Sequence, residues 1–196
     1  MNMRWRSSVA PQRSIRSLAA GIEPVWGMFF CLFLFALLMV QMELFRYHTS
    51  ALYLEDALAA SGLAAAVVDL EEYGISNEIR IRDKEDCYRK YEQTLRENLG
   101  LNQQWESGNP QLIAGNVRIE RFIIYNVSTQ GSYCEERDRQ GKWSLQQAPA
   151  EGMYAPNGQL VEQTGVYGEV SYEVQGNWGI ILRARKGALV DVVSCK

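Results

Sequence analysis

The sequence predicts an α+β protein, in which a long N-terminal helix is followed by a short helix and an antiparallel β-sheet. Three observations support this class. An uncharged apolar run near the N-terminus passes without a stop signal into a second helical segment. A capped amphipathic segment follows, and the C-terminal third alternates between apolar and polar residues with short turns between. A helix that covers one face of such a sheet is an α+β arrangement.

The apolar run is "PVWGMFFCLFLFALLMVQM", from Pro24 to Met42, and it has no charge over 19 positions. At 1.5 Å per residue it would be about 28 Å long, close to the ~30 Å hydrocarbon core of a membrane. Four arginines and no acid precede Glu23, which places this end in the cytoplasm. The sequence therefore predicts a cytoplasmic tail over 1–21, a single transmembrane helix over 22–45, and an extracytoplasmic remainder in the cell membrane.

A cleaved secretory signal is the alternative interpretation of this segment. Such a signal has the same basic start and apolar core and ends at a site of small residues. Only Thr49, Ser50 and Ala51 resemble that site, and the charged residues Glu43 and Arg46 lie before them. A retained anchor is therefore the prediction.

The helix is expected to continue outside the membrane over 46–73, because no strong stop signal precedes Gly74. Apolar and small residues recur there at spacings of three and four, which predicts a stripe along one face. The stripe consists of Leu44, Tyr47, Ala51, Leu54, Leu58, Ser61, Ala65 and Val68. The segment 57–68 carries no charge, so much of the opposite face is apolar as well.

A helix that is apolar on most sides needs cover on two sides. We expect one face to pack against its own domain and the other to contact another chain, because small side chains let a neighbouring backbone approach closely. The predicted assembly residues on this helix are Leu54, Leu58, Ala60 and Ala65. The alternative is a helix that is buried only within its own domain.

A second helix and a first strand are expected early in the domain over 74–196. In "DKEDCYRKYEQTLRENLG", Asp83 is an N-cap candidate and Gly100 is a stop signal. The larger apolar residues share one side, so this helix should cover a core; they are Tyr88, Tyr91, Leu95 and Leu99. The segment Asn116–Ser128 alternates as a strand does.

The C-terminal third is predicted to form three consecutive antiparallel strands. The segment "GVYGEVSYEVQ" alternates apolar and polar side chains, which predicts a strand with one wet face. Its apolar set is Val166, Val170, Tyr172 and Val174. The motif "GNWG" then predicts a turn into "IILRAR", and "RKG" predicts a second turn into "ALVDVVSC". Short turns between consecutive strands make a meander.

Charge and residue usage argue against several function classes. From Glu23 onward there are 16 basic and 23 acidic residues without an evident basic cluster, so no nucleic-acid ligand is expected. His48 is the only histidine and no CxxC spacing occurs, so neither a zinc site nor a Ser/His/Asp set is expected. The paired carboxylates are most simply interpreted as solvent-exposed residues rather than as catalytic acid and base pairs. We expect no enzyme activity, no cofactor and no metal.

Three of the four cysteines follow the predicted membrane segment, where an oxidising setting permits one disulfide and leaves one thiol. We predict that Cys134 pairs with Cys195, because both follow strand-like segments of the C-terminal half. Closing this loop of roughly 60 residues would remove on the order of 4 kcal/mol of unfolded-chain entropy. Cys87 is the alternative partner.

Several of these features together resemble one family. They are an Arg- and Ser-rich start, the motif "GIEP", the apolar run leading through "ELFRYHTSALYLEDALAASGLAAA", and a strand-rich end. Over about residues 17–72 this combination resembles the TadE-like minor pilins, relatives of type IV pilins in bacterial tight-adherence secretion systems. In that family the apolar helix holds the subunit in the membrane before assembly and later packs in the centre of a filament or pseudopilus. The resemblance therefore implies a pilin-like fold.

The resemblance also implies an assembly role for Glu23. In the family a glutamate, fifth in the processed chain, neutralises the terminal amine of a neighbouring subunit, and Glu23 is the residue that matches it. The cut would then fall after Leu18, where processing requires glycine, whereas a cut after Gly21 would leave Glu23 second. The alternative is a carboxylate that is stabilised by the dipole at the start of a membrane helix.

The expected function is structural. The resemblance implies a membrane-anchored minor pilin or pseudopilin that joins other pilin-like subunits and the assembly machinery of an extracellular filament or secretion apparatus. The alternative is a single-pass cell-surface binding module or accessory subunit with a β-rich ectodomain. The apolar helix discriminates between them, since it should contact other subunits in the first case and be buried internally in the second.

Overall fold

The computed structural model describes residues 15–66, 73–74, 79–128, 131–147, 152–176 and 179–192, with side chains from residue 24 onward. The fold is α+β, which confirms the predicted class. The chain divides into two compact units, Met1–Leu44 and Phe45–Lys196. We call the second unit the sheet domain.

Helix α1 spans Ile15–Ala65 and contributes a segment to each unit. It begins within the predicted tail and continues through Pro24, which removes one backbone donor without ending the helix. It ends at Ala65, earlier than the predicted end near Tyr73, and residues 67–72 lie outside the described part of the chain. The residues Leu-Ala-Ala-Ala at 63–66 offer no glycine or asparagine cap, so no local signal marks this end.

The second helix, α2, spans Lys84–Asn98 and agrees with the sequence prediction. Its N-cap is Asp83, whose carboxylate accepts a hydrogen bond from the backbone N–H of Asp86 at 2.9 Å. Such a cap satisfies one of the donors that a helix start leaves unpaired. Gly100 follows with φ +60°, a conformation that suits glycine beyond a helix end.

The described part of the chain forms seven strands. They are β1 Ala114–Asn126, β2 Tyr133–Arg137, β3 Trp143–Gln147, β4 Met153–Tyr154, β5 Leu160–Val161, β6 Gly165–Gln175 and β7 Ile181–Asp191. Five of them form an antiparallel sheet in the order β3-β2-β1-β6-β7, and β4 pairs with β5 separately.

Both helices cover the same face of the sheet. Leu58 of α1 and Leu95 of α2 belong to one buried cluster with Val170 of β6. The ring of Tyr91 contacts that of Phe122 on β1, with the centroids 4.9 Å apart. This cluster is the main core, and it forms because β1 and β6 each present alternate apolar residues to the helices.

The opposite face of the sheet is covered only at one end. There the β4–β5 hairpin brings Met153 and Val161 onto Tyr125 of β1 and Tyr167 of β6, and this makes a second, smaller core. Strand β6 is therefore buried on both faces near Gly165 and alternates between buried and half-buried residues further along. The remaining part of this face carries polar side chains, as the sequence predicts.

Strand β7 corrects the predicted meander. The "RKG" motif does not turn the chain, because β7 pairs with β6 through the whole segment from Ile181 to Asp191. Gly187 lies in mid-strand opposite Glu169, and a Cβ added to it would fall 2.1 Å from the hydroxyl oxygen of Tyr167. The glycine therefore provides room for the Tyr167 ring rather than a turn.

Strand β7 also packs directly on α1 within the sheet domain. Lys186 Nζ lies 2.7 Å from Glu55 Oε2. Seven residues further along α1, a Cβ added to Gly62 would fall 2.6 Å from Cγ2 of Val190. Gly62 is thus a position of close helix–strand packing, where the absence of a side chain is needed.

Candidate functional site

The first candidate site is the exposed apolar surface of α1. Among the described residues, one helix is long and apolar enough to cross a membrane, and its most apolar stretch has no buried residue. Large apolar side chains such as Trp26, Phe33 and Leu38 are all exposed there. By length and composition this segment is compatible with a single-pass anchor.

The exposed apolar surface does not end with the span. In the sheet domain Phe45, Leu52 and Leu63 of α1 are 72%, 48% and 59% exposed, and Ala60 is exposed beside them. The intervals of seven and eleven residues are close to two and three helical turns, so the three large side chains share one face. We call Phe45, Leu52, Ala60 and Leu63 the outer stripe. The exposed side chain of Asp56, eleven residues after Phe45, lies on the same face and interrupts the stripe.

The opposite face of the same helix segment is an inner stripe, formed by Leu54, Leu58, Ser61 and Ala65. All four are buried, with no more than 1% of their surface exposed. This corrects the predicted placement of Leu54, Leu58 and Ala65 at an assembly interface, because side chains buried within their own chain have no surface left for a second one. Of the assembly positions predicted in this segment, Ala60 is on the surface.

The remaining predicted site residues lie partly outside the described side chains. Glu23 is within α1, but its side chain is among those not described. Cys134 is half-buried in β2, and Cys195 lies outside the described part of the chain, so their pairing stays a prediction. Cys134 and Cys87 form no disulfide with each other.

Among the described residues, the cysteines and acids show no arrangement for a reactive thiolate or a metal site. Burial raises the pKa of the Cys87 thiol to about 12, so this thiol is protonated near neutral pH and acts as a packing residue. Burial likewise raises the pKa of Cys134. No group of three or more histidine, cysteine, aspartate and glutamate side chains is placed to hold a metal in the described ranges.

The second candidate site is a basic groove on the open part of the sheet face. The groove has a volume of about 740 Å³, and four arginines line it: Arg118, Arg139, Arg183 and Arg185. No basic cluster was expected from the sequence, but the fold brings these four arginines together. Residues that are more than 40 positions apart meet here, because β1, β6 and β7 are neighbours in the sheet.

Two of the four arginines are neutralised within the groove. Arg139 forms an ion pair with Glu120, and Arg183 Nε donates to Glu173 Oε1 at 2.7 Å. No ion pair or hydrogen bond joins Arg118 or Arg185 to another described residue. These two arginines therefore give the groove an excess of positive charge.

The unpaired arginines form a row across three strands. Arg118 of β1 is the register partner of Ser171 of β6, and Ser171 is the partner of Arg185 of β7. Two strand spacings, about 10 Å, separate the backbones of the arginines. A hydroxyl between two guanidinium groups is a set of donors that suits an anion.

Comparison of the chain with protein-family models, with curated proteins and with solved structures gives no match. Two features with functional potential were not predicted from the sequence. The outer stripe could have been found from the intervals between Phe45, Leu52 and Leu63, but the many small and apolar residues around the helix obscured it. The arginine row has no sequence signal, because it depends on the register of β1, β6 and β7.

Proposed function

We propose that this protein is a membrane-anchored assembly subunit of the minor pilin or pseudopilin type. Helix α1 anchors the chain in the membrane, and the sheet domain lies outside the cytoplasm. The outer stripe then packs against other pilin-like subunits when an extracellular filament or a secretion apparatus is assembled.

One observation carries the proposal, namely that the exposed apolar surface of α1 extends beyond what a lipid anchor needs. About 20 apolar residues suffice for one crossing. The outer stripe runs from Phe45 to Leu63, a further 18 residues or about 27 Å of helix, with the exposed carboxylate of Asp56 as one interruption. Large apolar side chains that stay exposed on one face beyond the span indicate an interaction surface.

The sequence supports the direction of insertion. Arg4, Arg6, Arg13 and Arg16 precede the span, and no acidic residue lies among them. By the positive-inside rule this end stays in the cytoplasm. Protease added to intact spheroplasts should therefore remove the region after Tyr73 and leave the arginine-rich tail protected. Protection of the sheet domain would contradict this orientation.

A second candidate function is a single-pass binding module or accessory subunit at the cell surface. Burial of Leu54, Leu58 and Ala65 favours it, because this part of α1 packs on its own sheet. In that case the basic groove, rather than the outer stripe, would be the functional surface.

One pair of matched variants distinguishes the two proposed functions. Leu63→Lys places a charge on the outer stripe, and Leu145→Lys makes the same change at an exposed leucine of β3. Both variants should fold and reach the membrane, since surface changes usually alter stability by about 0.5 kcal/mol or less. The size of the detergent-extracted complex is then measured in cells that carry the assembly machinery.

The assembly function predicts that Leu63→Lys reduces the complex to a single subunit, while Leu145→Lys leaves it unchanged. A complex that is the same size in both variants and the wild type would contradict the role of the outer stripe. It would then favour the binding module.

A further inference from the structure

The start of β7 exposes three consecutive aliphatic side chains. Ile180, Ile181 and Leu182 are 54%, 55% and 46% exposed, although they follow one another directly. They lie at the turn of the β6–β7 hairpin, where Gly176 N donates to Ile180 O at 2.8 Å. Isolated exposed leucines are common on protein surfaces, but a contiguous aliphatic group at a strand end calls for a partner.

This hairpin end lies at the end of the sheet domain where α1 enters. Arg46, the second residue of the domain, donates from Nε to the carbonyl of Gln111 at 3.2 Å. Three residues later Ala114 is the register partner of Glu173, and Glu173 is the ion-pair partner of Arg183. These steps place Arg183 toward the end of the domain that contains the first turn of α1.

The packing of β7 on α1 gives the same result independently. Residue numbers rise in the same direction along both elements, from Lys186 beside Glu55 to Val190 beside Gly62. Ile181 lies five residues before Lys186, about 16 Å along a strand. Sixteen ångströms is about eleven residues of helix, so Ile181 lies near the level of Phe45.

Positive charge adjoins this apolar end. On β7, Arg183 and Arg185 follow the aliphatic residues directly, and Arg118 lies two strands away from Arg185 in the same row. Glu173 neutralises Arg183, whereas Arg118 and Arg185 have no carboxylate partner among the described residues. The surrounding chain is acidic overall, with a net charge of −3, so the patch is a local exception.

We propose that this end of the sheet domain docks on anionic phospholipid in the membrane leaflet from which α1 emerges. Ile180, Ile181 and Leu182 enter the headgroup region, and Arg118 and Arg185 bind lipid phosphates. Aliphatic side chains flanked by arginines have the composition of a surface that binds at a membrane interface. The guanidinium group suits phosphate because it presents several N–H donors in one plane.

The proposal rests on anchoring of the chain through α1, since the covalent link at Phe45 keeps this end close to the lipid. Docking would hold the sheet domain at a fixed height above the membrane. It would also cover the basic groove from the side of the lipid, which a soluble anion would not do.

Hydrogen exchange of the full chain in vesicles tests the docking. The protein is reconstituted in phosphatidylcholine vesicles and in vesicles with equal parts of phosphatidylcholine and phosphatidylglycerol. Amide exchange over residues 179–185 is expected to be several-fold slower in the anionic vesicles. The double variant Arg118→Glu with Arg185→Glu should abolish that difference, whereas Arg89→Glu, at an exposed arginine of α2, should retain it.

Each other outcome overturns the proposal in a defined way. Equal exchange in the two vesicle types excludes recognition of anionic lipid. In neutral vesicles, inorganic phosphate or an oligonucleotide could slow amide exchange as much as anionic lipid does. That result would assign the groove to a soluble anion or to nucleic acid. Failure of the protein to float with vesicles would refute the anchor and the proposed function together, whereas unchanged exchange in floating protein refutes only the docking.

Discussion

The inner and outer stripes of α1 have the same kinds of residue in opposite environments. Leu54, Leu58 and Ala65 are buried against the sheet, whereas Leu52 and Leu63 on the other side are about half exposed. Leucine and alanine dominate both stripes, so composition does not distinguish core from free surface. The difference arises from the sheet, which covers one side of the helix and leaves the other side open.

Under the proposed function, this contrast lets one helix serve two purposes. The inner stripe fixes the sheet domain on the helix, and its burial contributes to the stability of that domain. The outer stripe contributes little to the stability of the isolated chain and remains available for a second one. Substitutions on the two stripes should therefore separate folding from assembly.

Truncation of a buried leucine gives the largest expected effect. Leu58→Ala removes a side chain that is 1% exposed and leaves a cavity in the main core. The free energy of unfolding should fall by about 2–5 kcal/mol. Leu63→Ala on the outer stripe is the matched control, and it should change this free energy by about 0.5 kcal/mol or less. Chemical denaturation in detergent, followed by tryptophan fluorescence, measures both.

A substitution at the helix–strand contact should have an intermediate effect. Gly62→Ala places a methyl group 2.6 Å from Cγ2 of Val190, so one of the two elements must shift. Overpacking of this kind costs about 1–3 kcal/mol. Val190→Ala in the same chain should recover part of the loss, because it removes the atoms that clash. No recovery in the double variant would indicate that the two elements do not pack as described.

The smallest expected effect concerns an exposed carboxylate on α2. Trp143 Nε1 donates to Glu85 at 2.7 Å, and this hydrogen bond, with a lesser one from Arg137, lowers the pKa of Glu85 below its ordinary value of 4.5. The ionised form is thus favoured in the folded state. Its stabilising contribution is present above about pH 4.5 and is lost as the pH falls through the folded pKa.

The Glu85→Gln variant tests that contribution. Its melting temperature should vary less between pH 6 and pH 3 than that of the wild type, and the difference should be small because Glu85 is largely exposed. A pH dependence identical to the wild type would show that the bond to Trp143 does not favour the charged carboxylate.

Local patterns predicted much of the fold. The cap at Asp83, the apolar side of α2 and the alternation in β6 are each encoded within about a dozen residues. The hairpin between β6 and β7 was predicted for the same reason. The turn predicted at "RKG" was wrong because a glycine within a strand cannot be distinguished from a turn glycine by local sequence. Gly187 is needed because the Tyr167 ring of the neighbouring strand lies against it.

Features that depend on tertiary contacts were harder to predict. The sequence predicted a helix that is apolar on two faces. It placed Leu54, Leu58 and Ala65 on the face that contacts other subunits, whereas they lie on the face that packs against the sheet. The position of the sheet relative to the helix decides that assignment, and no local pattern specifies it. The arginine row was missed for a related reason, since Arg118 and Arg185 meet only through the register of three strands.

Cysteine crosslinking in native membranes tests the central claim most directly. The claim is that the outer stripe contacts other subunits and the inner stripe does not. A background with the four natural cysteines replaced by serine receives Leu52→Cys or Leu63→Cys on the outer stripe, or Leu58→Cys on the inner stripe. A mild oxidant is then added to cells that contain partner subunits with cysteines in the corresponding helix.

We predict disulfide-linked pairs for the Leu52→Cys and Leu63→Cys chains, and none for the Leu58→Cys chain at a comparable expression level. Folding of the background and of each variant is verified by protease resistance of the sheet domain. Crosslinks through Leu58→Cys in folded protein, or none through either outer position, would contradict the assignment of the two stripes.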